Sequence, residues 1–514
     1  ERNFLYFTNL TPGSHTAAEG SQNSAQGASV SVNGAREQSN NFLLDGADNN
    51  DLGINHYTVL PSADAIEEFR VQSANSTADF GRSGGAQINV VVKSGTNDLH
   101  GTGFGFLRNR NLDAKNFFDR PDCTTSSVPG TCADIPRLDR GQFGGSLGGP
   151  IRKDKTFFFG SYEGLYLRQA VTREATVPSI SQRNAVFGAV PVGQRNPSGV
   201  DVLNLIPTAN AGTDLNNSNR LVAAPVLRND IHQFLGKINH SINPSLSLSG
   251  FYSLFDEDRL NPYDPFFAST NLPGYGSSWE NRGQTTALTL TAILGPRVVN
   301  ESRVAFNRLS ASILQENIGI NGTASLGFPE LSPDPINLGY PNVSIGGFDG
   351  IGEPINTPQK RHDNTYQFSD TLAWTPQGFG GRHRVRAGFD IRKFQVNFFL
   401  NYLARGAYQF VGAFTGNPLE DLVRGIPVAA TRLDGTTDAA LRTTAYNFFI
   451  ADDIQLHPQL TLNLGMRYEI NRPVVDTRDR MSVPDTSAGA LTCTPQPDCQ
   501  FIQVGTNGIP RAGY

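Results

Sequence analysis

Two patterns of apolar and polar positions divide the chain near Leu99. Upstream, residues 88–92 (INVVV) are apolar apart from Asn89, and such a run between polar turns predicts a strand buried on both faces of a compact domain. Downstream the period becomes two. Thr102, Phe104 and Phe106 alternate with Gly101, Gly103 and Gly105, which gives a strand two unlike faces. The alternation recurs over 100–109, 139–149, 155–167, 230–240, 245–256, 284–294, 298–311, 362–375, 382–396, 443–457 and 459–471. It is clearest where Val385, Ala387, Phe389 and Ile391 interleave with Arg384, Arg386, Gly388, Asp390 and Arg392, and where Leu460, Leu462, Leu464, Met466, Tyr468 and Ile470 interleave with Thr461, Asn463, Gly465, Arg467 and Glu469. One face suits lipid and the other water.

Connections between these segments alternate in length. Every second one is short and holds a proline, at Gly149-Pro150, Asn243-Pro244, Gly295-Pro296, Thr375-Pro376 and His457-Pro458. The others are long and polar, the longest spanning 168–229. A membrane barrel sorts its loops this way, with short turns on the periplasmic side and long loops outside. Tyr366, Trp374, Tyr402, Tyr408, Tyr446 and Tyr468 lie near predicted strand ends, where a membrane interface favours amphipathic rings, although each taken singly reads equally as a core aromatic.

Within 1–98, Asn33-Gly34 and Asp45-Gly46 supply the positive φ that tight turns demand. Ser62, followed by Asp64, Glu67 and Glu68, predicts the cap of a short helix, and a strand follows from Phe69. The expectation is a small α/β domain ending near Asp98.

Composition agrees with a β-rich chain. Of 514 residues 53 are Gly and 33 Phe, only 17 % are charged, and the net charge of −5 offers no basic face for nucleic acid. Such a length exceeds one ordinary globular core. Cys123 with Cys132 and Cys493 with Cys499 form two local pairs without metal-type spacing; loop-closing disulfides in an oxidising compartment or free thiols both fit. Glu1 carries no initiator Met or signal-like segment before it, so the chain is expected to be a fragment.

Several segments in order carry a family resemblance: SVNGAREQSNNFLLDGADNND (31–51), AIEEFRVQ (65–72), GRSGGAQINVVVKSGTNDLHG (81–101), NLDAKNFFD (111–119) and RGQFGGSLGGPIRKDKTFFFGSYEG (140–164). Together they resemble the plug-to-barrel junction of TonB-dependent outer-membrane receptors, in the Oar-like branch. The resemblance implies a plug over 1–98 and the N-terminal part of a transmembrane antiparallel β-barrel over 99–514, about half of a barrel of about 22 strands. It also implies a Gram-negative outer-membrane location, outer-membrane lipid around the barrel, an extracellular ligand such as a siderophore, glycan or peptide, and energy from an inner-membrane TonB-ExbB-ExbD complex. In this register both cysteine pairs fall on the long-loop side.

Candidate gating or signature residues are Asn33, Gly34, Arg36, Asn41, Asp45, Gly46, Glu67, Glu68, Arg70, Arg82, Gly84 and Gly85. The charged ones could bridge plug and barrel, or be plain solvated surface. Asp45, Asp48, Asn49, Asn50 and Asp51 carry enough oxygens for calcium but lack the EF-hand pattern; a solvated turn, or a plug loop that approaches ligand or braces the plug, also fits. Gly81 to Gly85 could form an anion nest or a simple turn. Gly144-x-Ser146-x-Gly148 matches a hydrolase elbow formally, yet no helix is predicted after it, and small residues that let the plug approach the wall explain it better. With 8 scattered histidines and no HExxH, neither a metal, a cofactor nor an enzymatic activity is expected.

Overall fold

A computed structural model describes residues 3–16, 30–73, 77–114, 135–212, 214–376, 381–433, 437–484 and 501–503. The four cysteines lie outside the described residues, so both expected disulfides go unaddressed. Its main element is a wall of eleven long antiparallel strands: β1 His100–Asn109, β2 Leu138–Arg152, β3 Thr156–Ala170, β4 Val226–Asn243, β5 Leu246–Asn261, β6 Ser277–Gly295, β7 Val298–Gln315, β8 Gln359–Trp374, β9 Arg382–Leu400, β10 Ala439–His457 and β11 Leu460–Asn471. Each strand pairs with its neighbour in sequence, and a two-residue strand, Val475–Asp476, adds to β10. All eleven segments with period two are strands in this wall. Among the described residues no helix is long and apolar enough to cross a membrane.

Register sorts the side chains as the alternation demands. Val385, Ala387, Phe389 and Ile391 of β9 share one face with Ile450 and Phe448 of β10 and with Met466 and Tyr468 of β11. Arg386, Asp390 and Arg392 point to the other, inner face. In β1, Phe104 and Phe106 sit opposite Gly144 and Gln142 on the inner face, and the glycines face outward. A strand of 19 residues, rising about 3.3 Å per residue and tilted about 40°, spans roughly 48 Å, well beyond an apolar band of about 25 Å. The upper ends therefore stand in water. Their outer faces carry ion pairs accordingly, Arg168–Asp230 (2.5 Å), Arg282–Asp256 (2.8 Å) and Arg228–Asp258 (3.1 Å).

Against the inner face packs an N-terminal unit built on a four-stranded sheet in the order Ala47–Asp48, Asn41–Leu44, Gln87–Val92, Ile66–Gln72. The near-apolar strand 87–92 lies between two others, parallel to 41–44, as a strand covered on both faces must. Asn33, Gly34, Asp45 and Gly46 all have positive φ, and Asp45-Gly46 closes a two-residue hairpin. Leu44, Val59 and Ile88 of the unit share a core with Phe159, Leu235 and Phe251 of the wall. The α/β expectation needs correction: the described helices of this unit are short 3-10 helices, Phe4–Leu10, Glu37–Ser39 and Ala63–Ala65. Ser62 caps no helix with its side chain; its hydroxyl is bound to Glu163 of β3 instead.

Two further expectations change. Pro150 is not in a turn: it pairs with Phe157 beside a bulge, and residues 153–155 make the reversal. Gly144 does not admit the N-terminal unit. A Cβ there would strike the Tyr162 carbonyl and the Phe104 ring, so its smallness serves packing within the wall. The glycines that admit the unit are Gly283, where a Cβ would lie 2.0 Å from Thr58 O, and Gly465, where it would lie 2.9 Å from Ala78 Cβ.

The long connections, expected as polar loops, fold together into a cap with its own core, including Val177, Val202, Leu272, Val343, Phe410 and Leu422. Helix Ile180–Ala189 starts with a capping box between Ser179 and Gln182. Pro197–Leu205 and Pro418–Arg424 each follow an Asn cap and begin with Pro. These two helices touch closely, for a Cβ on Gly199 would lie 1.9 Å from Leu422 O. A four-stranded sheet, 348–351, 342–345, 407–410, 429–431, completes the cap. Tyr408, expected at a membrane interface, packs at a tilt against Phe328 here, with ring centroids 4.7 Å apart and an interplanar angle of 51°.

Glu353 is buried at the root of this cap. Its carboxylate accepts from Asn317 Nδ2 (2.8 Å), and Arg405 beside it donates to the Thr357 carbonyl (2.8 Å). Burial pushes the Glu353 carboxyl up to about 7 against the pull of Arg405. The folded cap thus holds a proton that an unfolded carboxyl, at 4.5, has released. That stability is complete below about pH 4.5 and is lost as pH rises through about 7. Protection of the amides over 337–358, taken relative to the intrinsic exchange rate at each pH, is expected to be greater at about pH 5 than at about pH 8, and Glu353→Gln should remove that difference.

Candidate functional site

The segment 45–62 (DGADNNDLGINHYTVLPS) carries most of the contact between the N-terminal unit and the wall. It has little regular structure, so its backbone needs side-chain partners. Asn50 Oδ1 accepts from Phe42 N (2.9 Å), and Asn49 bonds both backbone groups of Val59 (2.9 Å each). Asn41 and Asn50 are themselves joined at 2.8 Å. The run of Asn and Asp is a self-bracing turn, and its remaining groups face the wall.

At the centre lies Asp48, with 1 % of its side chain exposed. Its carboxylate meets Arg392 of β9 (2.6 Å) and Arg82 of its own unit (2.8 Å). Asp390 holds Arg392 from the far side (2.9 Å), and Gln367 of β8 links the two acids, accepting from Asp48 N (2.9 Å) and donating to Asp390 Oδ2 (2.8 Å). Asn307 of β7 donates to the Asp48 carbonyl (3.0 Å). Burial alone would raise the Asp48 carboxyl; Arg82 and Arg392 outweigh it and hold it below its ordinary 3.8.

Further pairs surround this one. Asp45 meets Lys237 of β4 (2.7 Å), which also donates to Val92 O (3.0 Å). Asp51 meets Arg361 of β8 (2.7 Å), and Asp79 meets Arg386 of β9 (2.8 Å). Arg467 of β11 donates to Asp79 O (3.3 Å), and Arg303 of β7 to Gly46 O (3.3 Å). The unit is therefore anchored by charge to strands across the wall.

Of the sequence candidates, Asn41, Asp45, Gly46 and Arg82 belong to this network. Gly46 is required twice over, by φ 76° and by the Arg303 guanidinium where a Cβ would be. Asn33 and Gly34 form a turn away from it, with Asn33 Nδ2 donating to Ser73 O (2.6 Å). Arg36 is exposed, and Glu67, Glu68 and Arg70 do not bridge to the wall: Glu68 pairs with Arg70 on an open strand face (3.4 Å). Glu68 and Arg70 share one face of the sheet's edge strand, as the period-two pattern could have told, while Glu67 lies at a bulge. Gly84 and Gly85 form a simple turn whose Gly85 N–H is used by Ser39 O (2.9 Å). The acidic loop is neither solvated nor shaped for calcium, and among the described residues no three His, Cys, Asp or Glu side chains gather as a metal site. Sequence reasoning placed Arg392 on a water-facing side without a partner, and it passed over Lys237, inside a predicted strand, and Arg361, one residue before another.

Known proteins place this arrangement. The family described as outer membrane beta barrel domain matches residues 91–514. The TonB-dependent transporter Oar of Myxococcus xanthus is 23 % identical over 91 % of this chain and 45 % of its own length. Among solved structures, the outer membrane transporter YddB from Escherichia coli matches with TM-score 0.56 at 13 % identity, covering 92 % of this chain and 55 % of that one. The siderophore receptor PirA from Acinetobacter baumannii matches with TM-score 0.52 at 13 % identity, covering 91 % and 54 %. This chain spans about half the length of these relatives.

Removing the central charge tests the network. Asp48→Asn leaves Arg392 to Asp390 alone and should weaken docking of the unit by about 3 kcal/mol, seen as faster hydrogen exchange over 41–51 with the wall strands unchanged. Since the folded carboxyl titrates low, its contribution is complete above the ordinary carboxylate range and lost as pH falls through the folded value. Docking should then be constant over about pH 5 to 8 and fail only in stronger acid.

Proposed function

The chain belongs to the outer-membrane β-barrel domain family and resides in the outer membrane of a Gram-negative cell; from that premise we propose that it is the plug and first half of the barrel of a TonB-dependent receptor that imports an extracellular ligand. In this reading residues 1–98 are the plug, 99–514 are barrel, and the cap formed by the long connections faces outward to meet ligand. It is a transporter and carries out no catalysis.

The observation that carries the reading is the ionic anchoring of the N-terminal unit around Asp48. An apolar contact resists parting, because parting exposes oily surface on both sides; here the core shared by Leu44, Ile88, Phe159 and Leu235 is only part of the contact, and ion pairs make up the rest. Ion pairs in a watery lumen behave differently. Each loses its partner on movement and regains water, so the net change is far smaller than the direct attraction. A plug held in this way is secure at rest and movable under a pull from the periplasm. The pull is assigned to the inner-membrane TonB complex by kinship with a TonB-dependent transporter. The ligand class stays with the extracellular cap, where siderophores, glycans and peptides all suit a polar mouth.

Energy coupling has a direct test in cells. Thr58 is buried where the plug meets Gly283. A Thr58→Cys chain should react with a membrane-impermeant maleimide, above the background of the parent chain, only while the inner membrane is energised. Labelling that is equal with and without a proton-motive force would replace active import with a passive adhesin or pore.

A further inference from the structure

We propose that the outer face of β3 to β6 seats a phospholipid of the periplasmic leaflet, one acyl chain lying in a glycine-floored groove and the phosphate resting at the basic turn below it. The groove, about 790 Å³, is lined mainly by the lipid-facing side of four neighbouring strands and of β7. Its floor is Gly160, Gly236 and Gly250. Gly236 is paired with Gly160, and Gly250 with Ile238, so the three lie side by side across β3, β4 and β5 on one face. Bulky residues rise around them: Phe158, Phe234, Ile238, Tyr252, Leu288 and Val304. Several are about half exposed, at 44 % for Phe234, 52 % for Ile238 and 51 % for Val304.

Wall packing does not demand Gly160 or Gly236, whereas a Cβ on Gly250 would press on Leu288 at 3.3 Å. A Cβ on Gly160 would find its nearest neighbour, Leu235 O, at 3.8 Å, and one on Gly236 would touch Phe234 at 3.4 Å. Neither has a positive φ. Side chains would fit, and their absence leaves a depression in an otherwise bulky apolar surface. The groove is continuous with the face already turned to the bilayer, so a hydrocarbon chain is the occupant of matching chemistry.

Charge selects which lipid. The turn at residues 153–155 joins β2 to β3 and is one of the short, periplasmic connections. Arg152, Lys153 and Lys155 are exposed there. The turn's one carboxylate is engaged, since Asn97 Nδ2 donates to Asp154 Oδ1 (2.6 Å) and Asp154 N donates to Asn97 Oδ1 (2.9 Å). Arg152 is paired with Thr156, on the same face as Phe158, where the groove begins two residues and about 7 Å further along the strand. Thr156 bonded to His240 (2.9 Å) forms a polar step between them. Cations and a polar step at the rim of an apolar groove match the phosphate, glycerol and acyl regions of an anionic phospholipid.

Native mass spectrometry of the protein extracted from outer membranes, delipidated and titrated with palmitoyl-oleoyl-phosphatidylglycerol, tests this. One lipid should be retained per chain, bound about tenfold or more tightly than phosphatidylcholine. Filling the floor with Gly160→Leu and Gly236→Leu should abolish retention of both lipids while heat-modifiable migration, the mark of a folded barrel, is kept. Arg152→Gln with Lys153→Gln, on an exposed turn, should weaken phosphatidylglycerol by about tenfold or more and leave phosphatidylcholine unchanged. A folded groove-filled variant that binds as the parent does would overturn the proposal. So would a parent with no preference between the two lipids, or a turn variant that keeps that preference.

Discussion

A single buried carboxylate, Asp48, determines how the halves of this molecule hold together. It lies between Arg82 and Arg392 with almost no access to solvent, and a buried charge is tolerable only when its partners are fixed. Fixing them requires Asp390 and Gln367 on the wall, and the Asp45-Gly46 hairpin and Asn49-Asn50 turn on the unit. The same need explains why the water-facing side of β9 is crowded with charge. That side is built to receive the unit, and the outer side is built to meet lipid.

The molecule contains two cores, and they are separate. One joins the N-terminal unit to the lower wall through Leu44, Ile88, Phe159 and Leu235. The other lies inside the cap and draws on Val202, Leu272, Val343 and Leu422. Separate cores let the cap respond to a ligand or to pH, through Glu353, without disturbing the anchored unit. They also let the unit move without unfolding the cap. The receptor reading we propose, with a capture element and a gate, would need that independence.

The wall was legible in the sequence because its signal is local: alternation within ten residues states both that a strand exists and which side faces lipid. The turns at Asn33-Gly34 and Asp45-Gly46 were legible for the same reason, a positive φ being a property of two adjacent residues. The cap was not. Its core gathers apolar residues from four connections, none with a period of its own, so each read as a polar loop. Nor could Asp48 be matched to Arg392, a partner 344 positions away. Sequence marked the acidic loop as special and could not choose between calcium, solvent and bracing. For Arg36, Glu67, Glu68 and Arg70 the sequence left bridging and solvated surface both open, and the structure places them on the exposed side.

A double-mutant cycle between Asp48 and Arg392 tests the anchoring most directly. Asp48→Asn, Arg392→Gln and the pair would be compared by the denaturant needed to expose residues 41–51 to hydrogen exchange. Anchoring by this ion pair predicts a coupling energy of about 1.5 kcal/mol or more, the double variant losing clearly less than the sum of the singles. Losses that add within about 0.5 kcal/mol would contradict it. They would mean that the apolar contacts around Phe159 and Leu235 hold the unit, and that charge at this interface is incidental.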